Sequence, residues 1–297
     1  MTAAEPRFTI VSFHAHPDDE AILTAGTLAQ LSAAGHRVVL VMATAGEAGL
    51  AEARYGHGDT LAATREHELQ ASARAIGIST VIHLGYADSG YPGPHQPLPH
   101  SRPVPKIANA FADAEVEQAA ERLARVLLDE GADVLTVYDP NGGYGHPDHV
   151  QVHRVGIRAA QLARTRLVLE ATVDRTSLAR VARVLRALRP LGLPQLPDLR
   201  NVYTGRAELT HRIDVRDQWQ AKRAAMQAHV SQAGSVTGVR TLALFLRLPR
   251  WLFRRTFRYE WFREIGRDSG QPWLDDILET VTAAPHDRVS PGVDRSR

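Results

Sequence analysis

The chain of 297 residues contains no cysteine. That removes disulfides, thiolate metal ligands and cysteine nucleophiles together. Lysine is nearly absent as well: Lys106 and Lys222 are the only two, so almost all of the 35 basic residues are arginine. The formal net charge is only +2, and the arginines alternate with acids over most of the sequence. A nucleic-acid partner is therefore not expected. No uninterrupted apolar run reaches the ~18 residues of a membrane span. Residues 1–7 show no basic segment followed by an apolar one, so no signal peptide is read there. Together with the missing cysteine, this makes the cytoplasm the expected location. What is present is a chain 44% hydrophobic, enough to bury a substantial core.

Up to residue 172 the pattern alternates. Apolar runs at 8–14, 37–44, 80–84, 134–138 and 166–172 read as strands. Helical spacing covers 19–34, 62–76, 112–130 and 147–162, with Gly35, Gly77 and Gly131 as stops. The unbroken Val38-Val39-Leu40-Val41 suits a strand covered on both faces. The alternation predicts an α/β fold: a Rossmann-like, doubly wound, mostly parallel sheet with its active site at the carboxyl ends of the strands. Two long connections, 45–61 with four glycines and 85–109 with six prolines, leave that same edge. Residues 1–172 are thus expected to form the catalytic core. Residues 173–280 are expected as a smaller C-terminal α+β extension completing the substrate pocket, and 281–297 as a disordered tail. Within the extension the reading is a basic helix at 177–188, a loop at 190–197, short strands in 201–213 and a helix at 215–229. Segment 241–262 mixes Leu, Phe and Trp with arginine, and Pro249 excludes one long amphipathic helix. It reads as a cap on the site or a homo-oligomer contact, ahead of a peripheral membrane contact.

The stretch His14-Ala15-His16-Pro17-Asp18-Asp19-Glu20 packs two imidazoles and three carboxylates directly behind the first strand. A second cluster, His146-Pro147-Asp148-His149, stands behind the strand at 134–138. Asp is favoured at helix starts, so either cluster alone can be read as capping. Two such clusters at equivalent strand ends make coincidence a poor account, because in the common strand order 3-2-1-4 the first and fourth strands are neighbours. His16 and Asp19 are three residues apart, with Pro17 set for a first helical turn, so both side chains can face one point. With His149 they make a set that suits Zn²⁺ with open positions, and the same facial set suits Fe²⁺. Asp18 points elsewhere and is free to take a proton from water. His146 crowds His149 too closely to join the same tetrahedron. A protonated imidazole there would steady an oxyanion or protonate a leaving amine. Asp148 is placed to orient a histidine. Tyr144, in the flexible Asn141-Gly142-Gly143-Tyr144-Gly145, could bring a phenol to the reacting carbonyl. His14 and Glu20 read as structural. A Rossmann nucleotide-binding protein would need a Gly-x-Gly-x-x-Gly turn where this motif stands. A non-catalytic metal- or sugar-binding module would need neither Asp18 nor His146.

His14 to Glu20, with Gly26-Thr27-Leu28 after it, closely resembles the PIG-L/LmbE family of metal-dependent N-deacetylases. The run from Asn141 to His149 resembles the second motif of that family's actinobacterial branch, the mycothiol-type deacetylases and amidases. The resemblance spans roughly residues 9–162, with weaker echoes to 262 that include Lys222, His229 and Gln232. It implies His16, Asp19 and His149 as zinc ligands, Asp18 as general base and His146 as the acid and oxyanion-stabilising group. It implies Tyr144 as a mobile tyrosine polarising the amide carbonyl, with Arg65, Asp88 and Glu47 lining a sugar or inositol pocket. The implied reaction removes an acetyl group from an N-acetylglucosamine-type conjugate, a small-molecule partner. The alternative is an amidase on a larger thiol or antibiotic-like conjugate. Two departures leave the acyl group and aglycone open: Leu23 in Ala21-Ile22-Leu23-Thr24 is apolar where the mycothiol enzymes usually carry small or polar residues, and 175–197 is unlike them.

Overall fold

A computed structural model describes residues 6–49, 51, 53–91, 107–187, 202–233 and 241–283. The chain runs β1 (Thr9–His14), α1 (Asp19–Leu23), α2 (Ala25–Ala33), β2 (Arg37–Thr44), α3 (Asp59–Ile76), β3 (Thr80–Tyr86), α4 (Val116–Asp129) and β4 (Val134–Tyr138). It continues through a one-turn α5 (Gly142–Gly145), α6 (Pro147–Ala163), β5 (Leu167–Thr172), α7 (Arg175–Ala187), β6 (His211–Asp214), α8 (Trp219–Ala228) and β7 (Tyr259–Glu264), with short helices at Val230–Ala233, Thr241–Leu246, Arg250–Thr256 and Glu279–Ala283. One seven-stranded sheet has the order β3-β2-β1-β4-β5-β7-β6. Its first five strands are parallel and β7 runs antiparallel to both neighbours. The doubly wound expectation and the 3-2-1-4 order are therefore found.

Strand side chains alternate between faces, so one strand serves two cores. Ile10, Leu40 and Met42 pack on one side with Leu28, Leu69 and Met226. Val11, Phe13, Val39 and Val41 pack on the other with Leu123, Val152 and Val155. Both faces are covered, which is why β2 reads as a continuous apolar run. Among the described residues no helix is long and apolar enough to cross a membrane.

The helix read over 19–34 is two. Thr24 leaves helical geometry at φ −130°, and its hydroxyl turns back to the Glu20 carbonyl. The cause lies far along the chain. The Glu260 carboxylate, on β7, accepts the backbone N–H groups of Gly26 and Thr27 at 2.8 Å each, capping a new helix start. Gly26 is required there, since a Cβ would stand 2.6 Å from Val215 Cβ. Other boundaries differ by less. α3 begins at Asp59, and β3 runs on to Tyr86. α4 begins after Glu115, whose carboxylate caps Glu117 and Gln118. The segment 241–262 divides at Pro249, with Leu242 and Phe253 in the core and Trp251 exposed. The loop read at 190–197 and most of the 281–297 tail lie outside the described residues. Strands β6 and β7 extend the core's own sheet, so the C-terminal third is continuous with the first 172 residues in hydrogen bonding.

Lys222 closes the same junction. It is 1% exposed, and its Nζ donates to Glu260 and to the Ile22 carbonyl at 2.7 Å. Removing one partner of a buried pair leaves an uncompensated charge. Lys222→Met is expected to cost about 3–5 kcal/mol in urea unfolding; a loss below about 1 kcal/mol would mean that the two N–H groups alone can neutralise Glu260.

Candidate active site

β1 and β4 are neighbours, and their ends are fastened. The buried His14 ring meets Ser12 Oγ at 2.8 Å and Tyr138 Oη at 2.9 Å, and Tyr138 Oη accepts the Ala15 N–H at 3.2 Å. His14 is thus structural, as read. The chain turns into the pocket at His16, directly facing the start of α6.

Three donor atoms converge there. His149 Nε2 lies 3.3 Å from Asp19 Oδ2, and His16 Nδ1 lies 3.4 Å from the same oxygen. His16, Asp19 and His149 form one group able to hold a metal ion. The fit is chemical as well as geometric. His149 Nε2 is buried without a well-formed hydrogen bond and faces Asp19 across the cluster, where an ion could take the place of a shared proton. His16 Nε2 meets Asp148 Oδ2 at 3.1 Å, which assigns the proton to Nε2 and leaves Nδ1 to ligate. Burial works against a charged His16, yet Asp148 and Asp19 raise its pKa well above the ordinary value. In the same way burial is outweighed at Asp19, where His149 and His16 hold the carboxyl well below its usual range. The carboxylates make a negative well that a cation can occupy in place of a proton.

Asp18 stands beside this group with 22% of its side chain exposed. Its backbone is strained, with φ 118° and ψ −25°, a region that costs a non-glycine residue on the order of 1–3 kcal/mol. Burial pushes its carboxyl up to about 6, against the Arg65 guanidinium and with the help of Asp19. Asp148 is fully buried, and its Oδ2 also accepts Ser89 Oγ at 2.7 Å and Ser89 N–H at 3.1 Å. The histidine it orients is His16. His146 Nδ1 accepts the Asp148 N–H at 3.2 Å, so its proton sits on Nε2. Desolvation, then the neighbouring His16 and His149, depress His146 to about 3. That shift favours the neutral ring, which leaves Nε2–H as its donor. Tyr144 is 38% exposed, with its ring 5.3 Å from that of His149. Crowding around its hydroxyl, then the charges of Asp19 and Asp18, raise its pKa, which keeps the phenol neutral.

Asp88 and Glu47 meet at the pocket: Glu47 Oε1 accepts the Asp88 N–H at 2.9 Å, and Asp88 Oδ1 lies 3.7 Å from His16 Nε2. Glu47 Oε2 is buried without a partner. Arg65 is brought close but turned inward, 3% exposed, with Nη1 on the Gly46 carbonyl at 2.7 Å and Nη2 on the Pro17 carbonyl at 2.5 Å. Sequence reasoning missed Ser89 and Asp139. Buried Asp139 holds the glycine-rich turn by accepting the N–H groups of Asn141 and Gly143, and Thr172 Oγ1 at 2.6 Å. An Asp two residues before Asn-Gly-Gly was the available signal, since Asp favours such local turns.

Fold and site together define the class: a hydrolytic enzyme of α/β architecture with a candidate metal centre at the carboxyl edge of its sheet. The sequence pattern of the PIG-L family, GlcNAc-PI de-N-acetylase, matches residues 11–160. A 1D-myo-inositol 2-acetamido-2-deoxy-alpha-D-glucopyranoside deacetylase of Nocardiopsis dassonvillei is 37% identical over 240 residues, covering 74% of this chain and 82% of its own. One of the same name from Streptomyces avermitilis is 32% identical over 302 residues, covering 93% and 98%. The chain belongs to the PIG-L family and is an enzyme acting on C–N bonds other than peptide bonds. Among solved structures, the N,N'-diacetylchitobiose deacetylase of Pyrococcus horikoshii shares the fold at a TM-score of 0.54 and 22% identity, over 88% of this chain and 84% of that one. A deacetylase of the teicoplanin biosynthesis pathway does so at 0.52 and 16%, over 86% and 97%.

Asp148 orients His16 through a single oxygen. Asp148→Ala is expected to weaken divalent-ion affinity about 10- to 100-fold, read by chelator competition on the purified protein. Unchanged affinity would mean that the His16 ring is held by packing alone.

Proposed function

We propose that the protein is a metal-dependent N-deacetylase that hydrolyses the acetamide of an N-acetylglucosamine-type conjugate to acetate and a free amino sugar. The observation that carries this reading is the convergence of His16 Nδ1, Asp19 Oδ2 and His149 Nε2 beside a spare carboxylate, Asp18. The relatives' substrate supplies the sugar class.

His16, Asp19 and His149 would hold the ion. Zn²⁺ fits two imidazoles and one carboxylate, and Fe²⁺ fits the same set. Such an ion supplies Lewis-acid polarisation and lowers the pKa of water. The remaining work belongs to the chain. Asp18 takes a proton from the attacking water, and its raised carboxyl pKa brings it nearer the working range of a base. His146 offers its Nε2–H, and Tyr144 its phenol, to the carbonyl oxygen as that oxygen gains charge. The proton gathered by Asp18 is then passed to the amine nitrogen as the C–N bond breaks and the carbonyl re-forms, with the Nε2–H of His146 steadying the oxygen until then. Glu47 and Asp88 are read as acceptors for sugar hydroxyls, since Glu47 Oε2 has no partner of its own. The extension, 173–280, is read as completing the pocket: Tyr203 N–H donates to the Gly143 carbonyl at 2.7 Å, behind Tyr144. Exposed Trp251, beside Arg247, Arg250 and Arg254, is where a subunit or membrane contact would rest. A cysteine-free chain acting on a small conjugate fits the cytoplasm.

Mass spectrometry of the metal, run beside release of free amine from a panel of N-acetylglucosaminyl conjugates, tests this. The expectation is about one ion per chain and amine release. Asp18→Ala should keep the ion and lose turnover by about 10²–10⁴-fold. Bound metal with no release on any acetylated sugar would turn the reading toward larger amides. Failure to bind metal after reconstitution would overturn it.

A further inference from the structure

One buried assembly borders the site yet offers nothing to a metal or a sugar. It surrounds the peptide that joins Pro17 to Asp18. On the carbonyl side, Arg65 Nη2 donates to Pro17 O at 2.5 Å, and the guanidinium is pinned by Gly46 O at 2.7 Å. Gly46 leaves it room, because a Cβ there would lie 2.2 Å from Arg65 Nη1. On the amide side, Asp18 N–H donates to Glu20 Oε2 at 3.0 Å. The other oxygen of Glu20 accepts Ser72 Oγ at 2.5 Å and His229 Nε2 at 2.6 Å. Glu20, Ser72 and His229 are completely buried. Arg65 and Ser72 lie seven residues apart on α3, two turns along one face. His229 comes from the far end of the chain, directly after α8.

The arrangement meets a specific need. Asp18 makes no capping bond with its own side chain and sits at φ 118°. A non-glycine residue in that region relaxes unless its surroundings over-determine it. Both polar atoms of the preceding peptide are taken by side chains whose other bonds are also fixed, so the peptide plane cannot turn. That plane sets the direction in which the Asp18 side chain leaves the loop, and Arg65 Nη2 also lies 3.5 Å from Asp18 Oδ1, so one guanidinium holds both the peptide and the carboxylate it carries. A buried ion pair such as Glu20–His229 contributes little to stability against an apolar substitute, and its better-attested use is to select one arrangement.

We infer that Arg65, Glu20 and His229 are positioning residues that clamp the Pro17–Asp18 peptide and so aim the Asp18 carboxylate at the attacking water. The inference rests on the reading of Asp18 as the base. It reassigns Arg65 from contact with the sugar to support of the loop, and it gives the C-terminal third a part in the chemistry.

The test uses the metal-loaded full chain, with kcat and KM measured separately and metal counted in each variant. For His229→Ala and Arg65→Met, kcat is expected to fall about 10- to 100-fold, with KM within about threefold and one ion retained. His229→Gln, which keeps a donor near Glu20, should recover much of the loss. In the Asp18→Ala background the same substitutions should cost less than about twofold, because residues acting through one group are not additive. Where Arg65→Met does not fold, Ser72→Ala removes a single bond from Glu20 and is expected to lower kcat about 3- to 10-fold. A folded His229→Ala with unchanged kcat would overturn the clamp. So would a rise in KM alone for Arg65→Met, which would make Arg65 a substrate contact. Equal losses in the Asp18→Ala background would overturn it as well, as a general structural effect. Full activity of Asp18→Ala would remove the base reading and the clamp together. Neutral clamp variants beside an inactive Asp18→Ala would remove the clamp alone.

Discussion

A carboxylate buried without partners is too costly to keep, and this constraint shapes the whole upper edge of the sheet. Glu20, Asp88, Asp139, Asp148, Glu68 and Glu260 are all buried there or close by. Each is answered by specific donors. Asp148 has Ser89 and His16, Asp139 has the glycine-rich turn and Thr172, and Glu68 has Ser231. Glu20 and Glu260 are answered from the last third of the sequence, by His229 and Lys222. Satisfying these groups fixes loop directions as firmly as packing fixes the strands. Asp19, His16 and His149 together carry more lone pairs than donors, and a cation would complete them.

The sheet makes this arrangement affordable in geometry. Strands β1 and β4 lie side by side because the winding reverses between them, and the crevice at that reversal is where ligands gather in open α/β sheets. The two histidine motifs, over a hundred residues apart in sequence, become neighbours through the strand order, and the contacts of Tyr138 with His14 and of Asp148 with His16 then fasten them. The antiparallel pair β7-β6 then continues the sheet past β5. It delivers Glu260 to the start of α2 and, with α8, His229 to the back of the Asp18 loop.

Much of this was legible in the sequence, for a definite reason. Strands β2 and β4 match their apolar runs to the residue, because burial on both faces leaves a run with no interruption. His16, Asp19 and His149 were legible because the residue types are few and the spacing short. What stayed hidden depends on contacts from afar. The break at Thr24 is made by Glu260, more than two hundred residues away, and nothing in the local helical spacing announces it. Arg65 shows only as a charge on a helix, and its inward turn follows from the two carbonyls it finds. The lowered pKa of His146 follows from its burial, and then from the imidazoles of His16 and His149 beside it, both of which exist only after folding.

His229, Lys222 and Glu260 leave the ribosome two hundred residues or more after the loops they secure. At typical synthesis rates of about 5–20 residues per second, the first five strands have roughly several seconds to pair before those partners emerge. During that interval the motif behind β1 is written but its supports are not. Glu20 and the start of α2 must wait as solvated groups, held open by hydration. The finished pocket therefore forms only after residue 260 has emerged, long after the motif it contains was made.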